Sequence, residues 1–598
     1  MGAGPLRTSG AGTLRPAHTG SEVRLAGWVK ARRDHGGVMF LDLRDAGGVV
    51  QVVVDPVAAP AAAAVAREVR DEYCVTLQGT VRLRPAGLVN PDLPTGEIEV
   101  AAAELRVLSH CDPLPFQIDD RAEVDEVRRL EYRYLDLRRP RMARNLRARS
   151  RGIAAMRRAL DRLGFLEVET PTLIRSTPEG ARDMLVPSRL RPGTFYALPQ
   201  SPQLFKQLLM VSGVERYYQV ARCYRDEDFR SDRQLEFTQL DVEGSFWGQD
   251  DVLATLEQVM AEVVAGQRGT VPDLPFPRLT YRDALARFGT DKPDLRFGME
   301  IVDLSEVFAA TQFRAFRAAV DGGGLVAGLD AGSLGLSRSG LDALGERARA
   351  LGGRGLVTAV VEAGGTLRST LAKHLDPAET AALVSAFGAV PGDTILLAAG
   401  DANETRLLLG KLRLELGQPQ GHEELRFLWV VDFPVFEVTP EGGLAPAHHP
   451  FTSPVDVRDL EEHPERAIAR AYDLVLNGSE LGSGSVRIHD PAVQRRMFSV
   501  LGISDEEAER RFGWFLRALR YGTPPHAGFA VGIDRLFSVL LGEPNIREVI
   551  PFPKTQTGLD PMTESPTAVA DEQLRELGID LRPETRATLE GEGEASPG

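Results

Sequence analysis

The stretch RCYRDEDFRSDRQLEFTQLDVE, Arg222 to Glu243, decides how the rest of the chain is read. Before it YYQVARCY alternates in the strand sense, LEFTQLDVE does so again at its end, and a charged, turn-rich link lies between. That pattern predicts a β-hairpin with a long loop. On the second strand Leu240 and Val242 point one way, so Phe237, Gln239, Asp241 and Glu243 point the other. Arg222 and Arg225 end the first strand, and Arg230 and Arg233 ride the loop. A surface with arginines and paired carboxylates suits a substrate bearing phosphates, a metal and an amine. A solvated, salt-bridged hairpin would read the same, so the neighbouring sequence has to decide.

At 598 residues and 65.2 kDa, size alone implies roughly three to five domains. Hydrophobic content of 43% and charged content of 26% are those of an ordinary globular protein. No apolar run approaches the roughly 18 residues that span a bilayer. MGAGPLRTSG has no apolar signal core, and Leu6 breaks the myristoylation pattern, so a cytoplasmic protein without membrane contact is expected. Cys74, Cys111 and Cys223 are scattered, which argues against structural zinc and a disulfide framework. The net charge of −15 argues against indiscriminate nucleic-acid binding but not against a local basic surface. Of 70 basic residues only six are lysines (Lys30, Lys206, Lys292, Lys373, Lys411 and Lys554), so some of these six should have local reasons to be lysine.

From Glu22 to Leu108 short strands and one helical piece follow one another. Five strands and a helix in about ninety residues match an oligonucleotide-binding (OB) barrel. Phe40 and Gln51, near Lys30, Arg32 and Arg33, supply the platform, phosphate contacts and amide that reading an unstacked base requires, although Phe40 as plain core is equally compatible with the spacing. Residues 111–140 form a Pro-rich, charged connector whose arginines, continuing into RMARNLRARSR, are read mostly as a solvated helix face. A long amphipathic helix from Arg141 to Leu163 stops at Gly164, FLEVETP gives a short strand, and STPEGARD is a turn-rich loop. SPQLFKQLLM reads as a helix with Ser201 as N-cap and Pro202 in its first turn, placing Gln203 and Lys206 on one face and Leu204 and Leu208 on another. Residues 294–421 shift towards Gly, Ala and Leu and read as an inserted α+β module without a catalytic constellation. Strand signals return in LRFLWVVDFPVFEV, and the last core piece, YGTPPHAGFAVGIDRLFSVLLG, runs from strand into buried helix. Arg535 in that helix's first turn is disfavoured by the helix dipole unless an anion, bound or from a nearby carboxylate, lies beside it. The tail after Pro566 is acidic and is expected to fray.

Together these residues resemble a class II aminoacyl-tRNA synthetase of the bacterial aspartyl type, over almost the whole chain. GFLEVETP resembles the family's first motif, which forms the homodimer interface, the opening hairpin resembles the second, and GFAVGIDRLF the third. TPEGARD resembles the loop that closes over the amino acid, QSPQLFKQ the aspartate-binding helix, and HHPFT and GSVRIH are aspartyl-type. The resemblance implies an α+β multidomain chain. An anticodon-binding OB-fold barrel (1–110) would be followed by a hinge (111–140) and by an antiparallel-sheet catalytic domain (141–293 and 422–565). The inserted α+β domain (294–421) would interrupt the catalytic domain, and a tail (566–598) would end the chain.

The same resemblance assigns roles. Arg225 and Arg535 would be the catalytic arginines of aspartate activation by ATP. Asp226, Glu227, Gln234, Glu480, Gly532, Ile533 and Asp534 would join them around ATP, and Asp473 with Glu480 would hold Mg2+. Lys206 and Arg487 would bind the substrate's side-chain carboxylate, so that asparagine would leave two buried cations poorly compensated. Glu179, Ser201, Gln203, Asp241 and one of His448 and His449 would complete the aspartate pocket. Phe40 would stack an anticodon base whose edge Gln51 and Glu99 read. His35 occupies a position associated with accepting tRNA(Asn) as well as tRNA(Asp); strict tRNA(Asp) charging is the first expectation and relaxed charging the alternative. Met184 and Leu235 depart from an aromatic and a proline common in relatives, both without chemistry of their own. An asparaginyl or lysyl relative is disfavoured by Lys206, Arg487 and the insertion. A non-catalytic RNA-binding paralogue would be expected to have lost Arg225, Arg535 or Glu480, and all three are present.

Overall fold

Alternation in the first hundred residues closes a barrel. Strands β1 (Glu22–His35), β2 (Val38–Asp45), β3 (Gly48–Val54), β4 (Cys74–Leu83) and β5 (Ile98–Ser109) run in the order β1-β2-β3-β5-β4, with β4 pairing back onto β1. Every pairing is antiparallel except β3 with β5. Leu25, Met39, Leu41, Leu43, Val52, Val75 and Val100 fill the interior, and helix α1 (Pro60–Glu68) adds Ala62, Ala63 and Ala66. Met39 and Leu41 point inward, so Phe40 between them faces outward and is only half-buried; the core reading of Phe40 does not hold. This computed structural model describes residues 6–176, 181–228, 230–417, 424–439 and 442–594, and the chain divides into two units, Met1–Gln117 and Ile118–Gly598.

The second unit is built on an eight-stranded sheet of β6 (Leu166–Glu167), β7 (Arg216–Tyr224), β8 (Glu236–Ser245), β9 (Arg278–Thr280), β10 (Phe427–Val431), β11 (Ala471–Leu476), β12 (Ser479–Val486) and β13 (His526–Gly532). The order is β9-β10-β11-β12-β13-β8-β7-β6; the interior pairs are antiparallel and the two edge pairs parallel. Helices α2 (Pro140–Arg162), α3 (Gln203–Val211), α4 (Gln249–Arg268) and α6 (Ile533–Leu541) pack around it, whereas α5 (Ala402–Leu416) packs within the inserted module. Leu240 and Val242 of β8 enter one core with Met156 and Leu160 of α2, Leu256 and Met260 of α4, and Leu536 and Phe537 of α6. Since β-strand side chains alternate, that core commits Phe237, Gln239, Asp241 and Glu243 to the opposite face, beside α3. Helix α3 begins at Gln203, with Pro202 at the cap position rather than inside the helix and Ser201 Oγ accepting from the Gln203 N–H at 3.3 Å.

Between β9 and β10 stands a five-stranded antiparallel sheet, ordered 302–303, 325–330, 394–400, 357–361, 367–368. One of its faces packs Phe308, Phe316 and Leu383, the other Leu409 and Leu412 of α5. Arg121, Arg128, Arg144 and Arg147 of the connector and its continuation are exposed, but the arginines between them are not a solvated face. Arg133 is buried, pairs with Asp136 at 2.6 Å and donates to the carbonyls of Ile550 and Pro551, both at 2.9 Å. Arg129 and Arg141 both donate to Glu548, at 2.6 and 2.9 Å. Their partners lie some four hundred residues away in sequence, beyond any local pattern. The tail forms helices Asp571–Leu577 and Pro583–Glu594, with Leu574 buried, instead of fraying.

Helices α2 and α6 meet where α2 has Gly152: a Cβ there would lie 2.1 Å from the ring of the fully buried Phe537. Gly152→Leu should therefore lower the stability of the second unit by about 1–3 kcal/mol through overpacking, read as an earlier thermal or denaturant transition, while Gly266→Leu, with open space around it, should not.

Candidate active site

The face of β8 turned away from the core floors a cleft of about 870 Å³ walled by the β7–β8 loop, α3, β12 and the first turn of α6. Phe237, Gln239 and Asp241 all line it, as alternation requires. Arg225 lies over the Phe237 ring at 5.0 Å, and its Nε donates to the Gln200 carbonyl at 3.3 Å. A guanidinium stacked on an aromatic keeps its in-plane donors available while its plane is fixed. Phe237 is thus the support of Arg225, a part the alternation placed correctly without assigning it a task.

Deeper in the cleft lies a buried four-charge cluster. Lys206 Nζ sits 2.7 Å from Asp241 Oδ1 and 3.1 Å from Glu243 Oε2, and Arg487 makes two parallel bonds to Glu243, at 2.9 and 3.1 Å. Ser485 Oγ accepts from Arg487 Nη1 at 2.7 Å, and the same nitrogen donates to His449 Nε2 at 2.7 Å. Arg487 reaches this position because Val486 and Ile488 on either side of it are buried in two separate hydrophobic clusters. Burial pushes the Glu243 carboxyl up, but Arg487 and Lys206 outweigh it and hold it down at about 2. At Asp241 burial wins over the pull of Lys206 and its carboxyl is raised. Burial and Arg487 push His449 well below its ordinary value, so its imidazole is neutral. Neither cation is bare: the expectation of two poorly compensated charges is corrected by two carboxylates from β8. Gln203 lines the same end, its buried Nε2 making no hydrogen bond among the described residues.

At the other end Arg535 donates to the Glu480 carbonyl and pairs with Asp232 at 3.0 Å, so its anion in this structure is a carboxylate. Glu480 on β12 pairs with Val475 of β11, two residues beyond Asp473 on the same strand; burial, and then the charge of Asp473, raise the Glu480 carboxyl. His448 Nε2 lies 3.3 Å from Asp473 Oδ1, which outweighs burial and raises its imidazole. The two histidines are thereby separated, His449 against Arg487 and His448 against Asp473. Among the described residues no group of three or more His, Cys, Asp or Glu is arranged to hold a metal ion. Asp473 and Glu480 are a two-carboxylate donor set, which suits a magnesium ion completed by phosphate oxygens rather than an all-protein cage.

The other residues expected around ATP have partners within the protein. Asp534 is buried, accepts from the Thr238 N–H at 2.8 Å and is paired with Arg149, so both of its oxygens are engaged; Ile533 is buried in the core, and Gly532 before it lines the cleft. The Gln234 side-chain amide exchanges two hydrogen bonds with the backbone of Lys554, at 2.8 and 3.0 Å. Asp226 lies 3.6 Å from Arg182, and Glu227 is paired with Arg233. Ser201 lines the cleft, and Glu179 lies outside the described residues. In the barrel Gln51 and Arg82 both donate to the buried Glu99, at 3.0 and 2.8 Å, and His35 meets Phe40 edge-on at 5.7 Å.

Residues 125–556 match the family described as tRNA synthetases class II (D, K and N). The chain belongs to this family. Residues 23–108 of this synthetase match an OB-fold nucleic acid binding domain. Over 587 residues it is 53% identical to a protein of Acidothermus cellulolyticus, covering 97% of this chain and 98% of the relative. It is 53% identical over 584 residues to one of Moorella thermoacetica, covering 96% and 97%. Both relatives are named aspartate–tRNA(Asp/Asn) ligase. Among solved structures its fold is similar to the asparaginyl-tRNA synthetase of Pyrococcus horikoshii with asparaginyl-adenylate, at a TM-score of 0.57 and 21% identity over 90% of this chain and 96% of that one. It is likewise similar to the aspartyl-tRNA synthetase of Entamoeba histolytica, at 0.57 and 20% over 91% of each. As a class II synthetase the chain is an ATP-dependent ligase. No helix among the described residues is long and apolar enough to cross a membrane.

Cys223 packs beneath the synthetase's cleft, donating to Gln239 at 3.3 Å, and burial pushes its thiol up to about 12. A maleimide at neutral pH should therefore modify the half-buried Cys74 and Cys111 and spare Cys223 until the protein unfolds; mass spectrometry of native and denatured samples reads this directly.

Proposed function

We propose that the chain is an aspartate–tRNA ligase that acts on tRNA(Asp) and, in the relaxed form for which its relatives are named, on tRNA(Asn) as well. The observation that carries the amino-acid assignment is the buried Lys206–Arg487 pair at the closed end of the cleft. Two cations there suit a substrate whose side chain ends in a carboxylate. Glu243 is firmly ionised and bound to both, whereas burial works against the charge on Asp241, so Asp241 is the counterion with which a substrate carboxylate competes. An amide in that place brings no charge, and its NH2 would face donors. Gln203, Ser201, Glu179 and His449 complete the aspartate pocket, and His448 belongs with Asp473.

In the first step an α-carboxylate oxygen of aspartate attacks the α-phosphorus of ATP and the bond to pyrophosphate breaks. The nucleophile is already an anion, so positioning and charge neutralisation are the work to be done. Arg225, held on Phe237, lies between the two anions. Arg535 exchanges Asp232 for a phosphate oxygen, and Asp226, Glu227 and the Gly532–Arg535 backbone hold the nucleotide, with Gln234 and Asp534 fixing the walls. Asp473 and Glu480 would hold Mg2+, which neutralises phosphate charge when bound. In the second step a ribose hydroxyl of the tRNA end attacks the aspartyl carbonyl and AMP leaves. Phe40, Gln51 and Glu99 read the anticodon, with His35 beside Phe40 where acceptance of the two tRNAs is set. The enzyme works as a cytoplasmic homodimer; the exposure of Leu166 and Leu173 in and beside the GFLEVETP stretch supports that face as the interface.

ATP–pyrophosphate exchange should depend on L-aspartate and not on asparagine or lysine; well-folded protein without aspartate-dependent exchange would sink the assignment. Charging transcripts of tRNA(Asp) and tRNA(Asn) separately should give product with both, and charging of tRNA(Asp) alone returns the strict reading. Lys206→Leu should raise the KM for aspartate by at least about a hundredfold, as expected for removing one partner of a buried ion pair, while the KM for ATP stays within a few-fold.

A further inference from the structure

Several cations that line the cleft have no task in the chemistry above, and one of them is placed by the inserted module. Lys292, one of six lysines in the chain, sits in TDKPDLR at the entrance to the inserted module and lines the cleft. Its ammonium lies 3.9 Å from Glu480 Oε2, on a half-exposed side chain. That separation exceeds a hydrogen bond, and the ammonium makes none among the described residues. Arg535 Nη1 stands 4.0 Å from the other oxygen of the same carboxylate. Lys292 and Arg535 therefore flank Glu480 from opposite sides, one from the start of the inserted module and one from α6.

The loop that carries Lys292 is held far more tightly than a surface ion pair would need. Arg413 of α5 is fully buried and makes five hydrogen bonds to backbone carbonyls of Asp294, Phe297, Gly298 and Met299, at 2.8 to 3.1 Å. Its guanidinium lies over the rings of Phe288 and Phe297, at 4.9 and 4.2 Å. Burial pushes this arginine down to about 10, the direction expected of a cation held among backbone carbonyls rather than in water. Helix α5 also approaches the start of the loop closely: a Cβ on Gly410 would lie 2.6 Å from the Gly289 carbonyl oxygen. On its other side the loop rests on the β11–β12 turn, where a Cβ on Gly478 would meet Asp294 Cβ at 3.3 Å. Gly478 is two residues from Glu480 and has φ +80°. Backbone anchored from both sides, ending in a long cation with its donors uncommitted, is the construction of a ligand contact. An exposed ion pair of this kind contributes only about 0–1 kcal/mol to stability, which does not call for such an anchor.

We propose that Lys292 binds the pyrophosphate portion of the nucleotide, its ammonium acting as a point charge on the β- or γ-phosphate oxygens, and that the inserted module's α5 holds it in place through Arg413. The proposal rests on the reading of the cleft as the site of aspartate activation. Lysine fits this duty because its three donors rotate and its stem reaches, whereas a planar arginine fork demands a fixed partner.

The test is aspartate-dependent ATP–pyrophosphate exchange by the full chain carrying Lys292→Ala or Lys292→Arg. Losing one charge-assisted contact should raise the KM for ATP and for pyrophosphate about tenfold to a hundredfold, with the KM for aspartate within twofold. Lys292→Arg, which keeps the charge but not the rotating donors, should restore only part of the loss. Binding of a sulfamoyl analogue of aspartyl-adenylate, which lacks the β- and γ-phosphates, should be equal in wild type and Lys292→Ala by calorimetry. Unchanged ATP and pyrophosphate constants in Lys292→Ala would overturn the proposal, as would a matching loss of analogue affinity, which would mean a general structural role. Absent exchange by the wild type counts instead against aspartate activation itself, so the two failures are distinguishable.

Discussion

The contact on which the second unit depends is the buried pairing of Glu243 with Arg487 and Lys206. It joins three pieces of chain far apart in sequence: β8, α3 and the residue following β12. Charges taken out of water are tolerated only when paired and hydrogen-bonded, and removing one partner of such a pair costs about 3–5 kcal/mol. Each member is therefore fixed by the others, and shape must yield to them. A Cβ on Gly528 of β13 would lie 1.8 Å from Glu243 Oε2, so the neighbouring strand has to be glycine there. The cluster thus sets the strand spacing at the floor of the cleft as well as its electrostatics.

A second ionic lattice steadies the opposite face by the same rule. Glu548 receives Arg129 and Arg141, and Glu543 receives Asn145 at 2.8 Å, while Arg149 on the same helix pairs with Asp534. Arg141, Asn145 and Arg149 are four residues apart, one stripe along α2. That stripe fixes the first turn of α6, and with it Arg535, from behind. The residues at the cleft are few; those that hold them in place are spread over α2, α4 and the connector.

What the sequence made legible was whatever has a local period or a motif. Alternation on β8 separated Leu240 and Val242 from Phe237, Asp241 and Glu243, and the structure keeps that division. The barrel, the amphipathic α2 and the strand-to-helix passage at Gly532 follow from the same kind of signal. What escaped was pairing at long range. Nothing local to Arg133 announces the carbonyls of residues 547–551, and nothing near Lys206 announces that Glu243 neutralises it. Arginines in a polar connector look solvated because their carboxylates lie four hundred residues on. Asp534 and Gln234 lie within the motifs and line the cleft as expected, but that their polar atoms are engaged by Arg149, Thr238 and Lys554 is announced by nothing near them in sequence.

The cations around the cleft share a further property. Arg225 has Glu227 at 3.8 Å, Arg535 has Asp232 at 3.0 Å, and Lys292 has Glu480 at 3.9 Å. All three pairs are partly exposed, so each is weak and exchangeable, whereas the Lys206–Glu243–Arg487 group is fully buried and firm. Phosphates carry more charge than the carboxylates they would replace and accept the same donors. A triphosphate can therefore take over the outer cations at small cost, without rearranging the scaffold behind them. The inner pair cannot be released in the same way: its carboxylate Glu243 stays, and a second carboxylate must be fitted beside it. Under the proposed function, nucleotide capture and amino-acid choice would both follow from one physical difference, the depth at which each cation is buried.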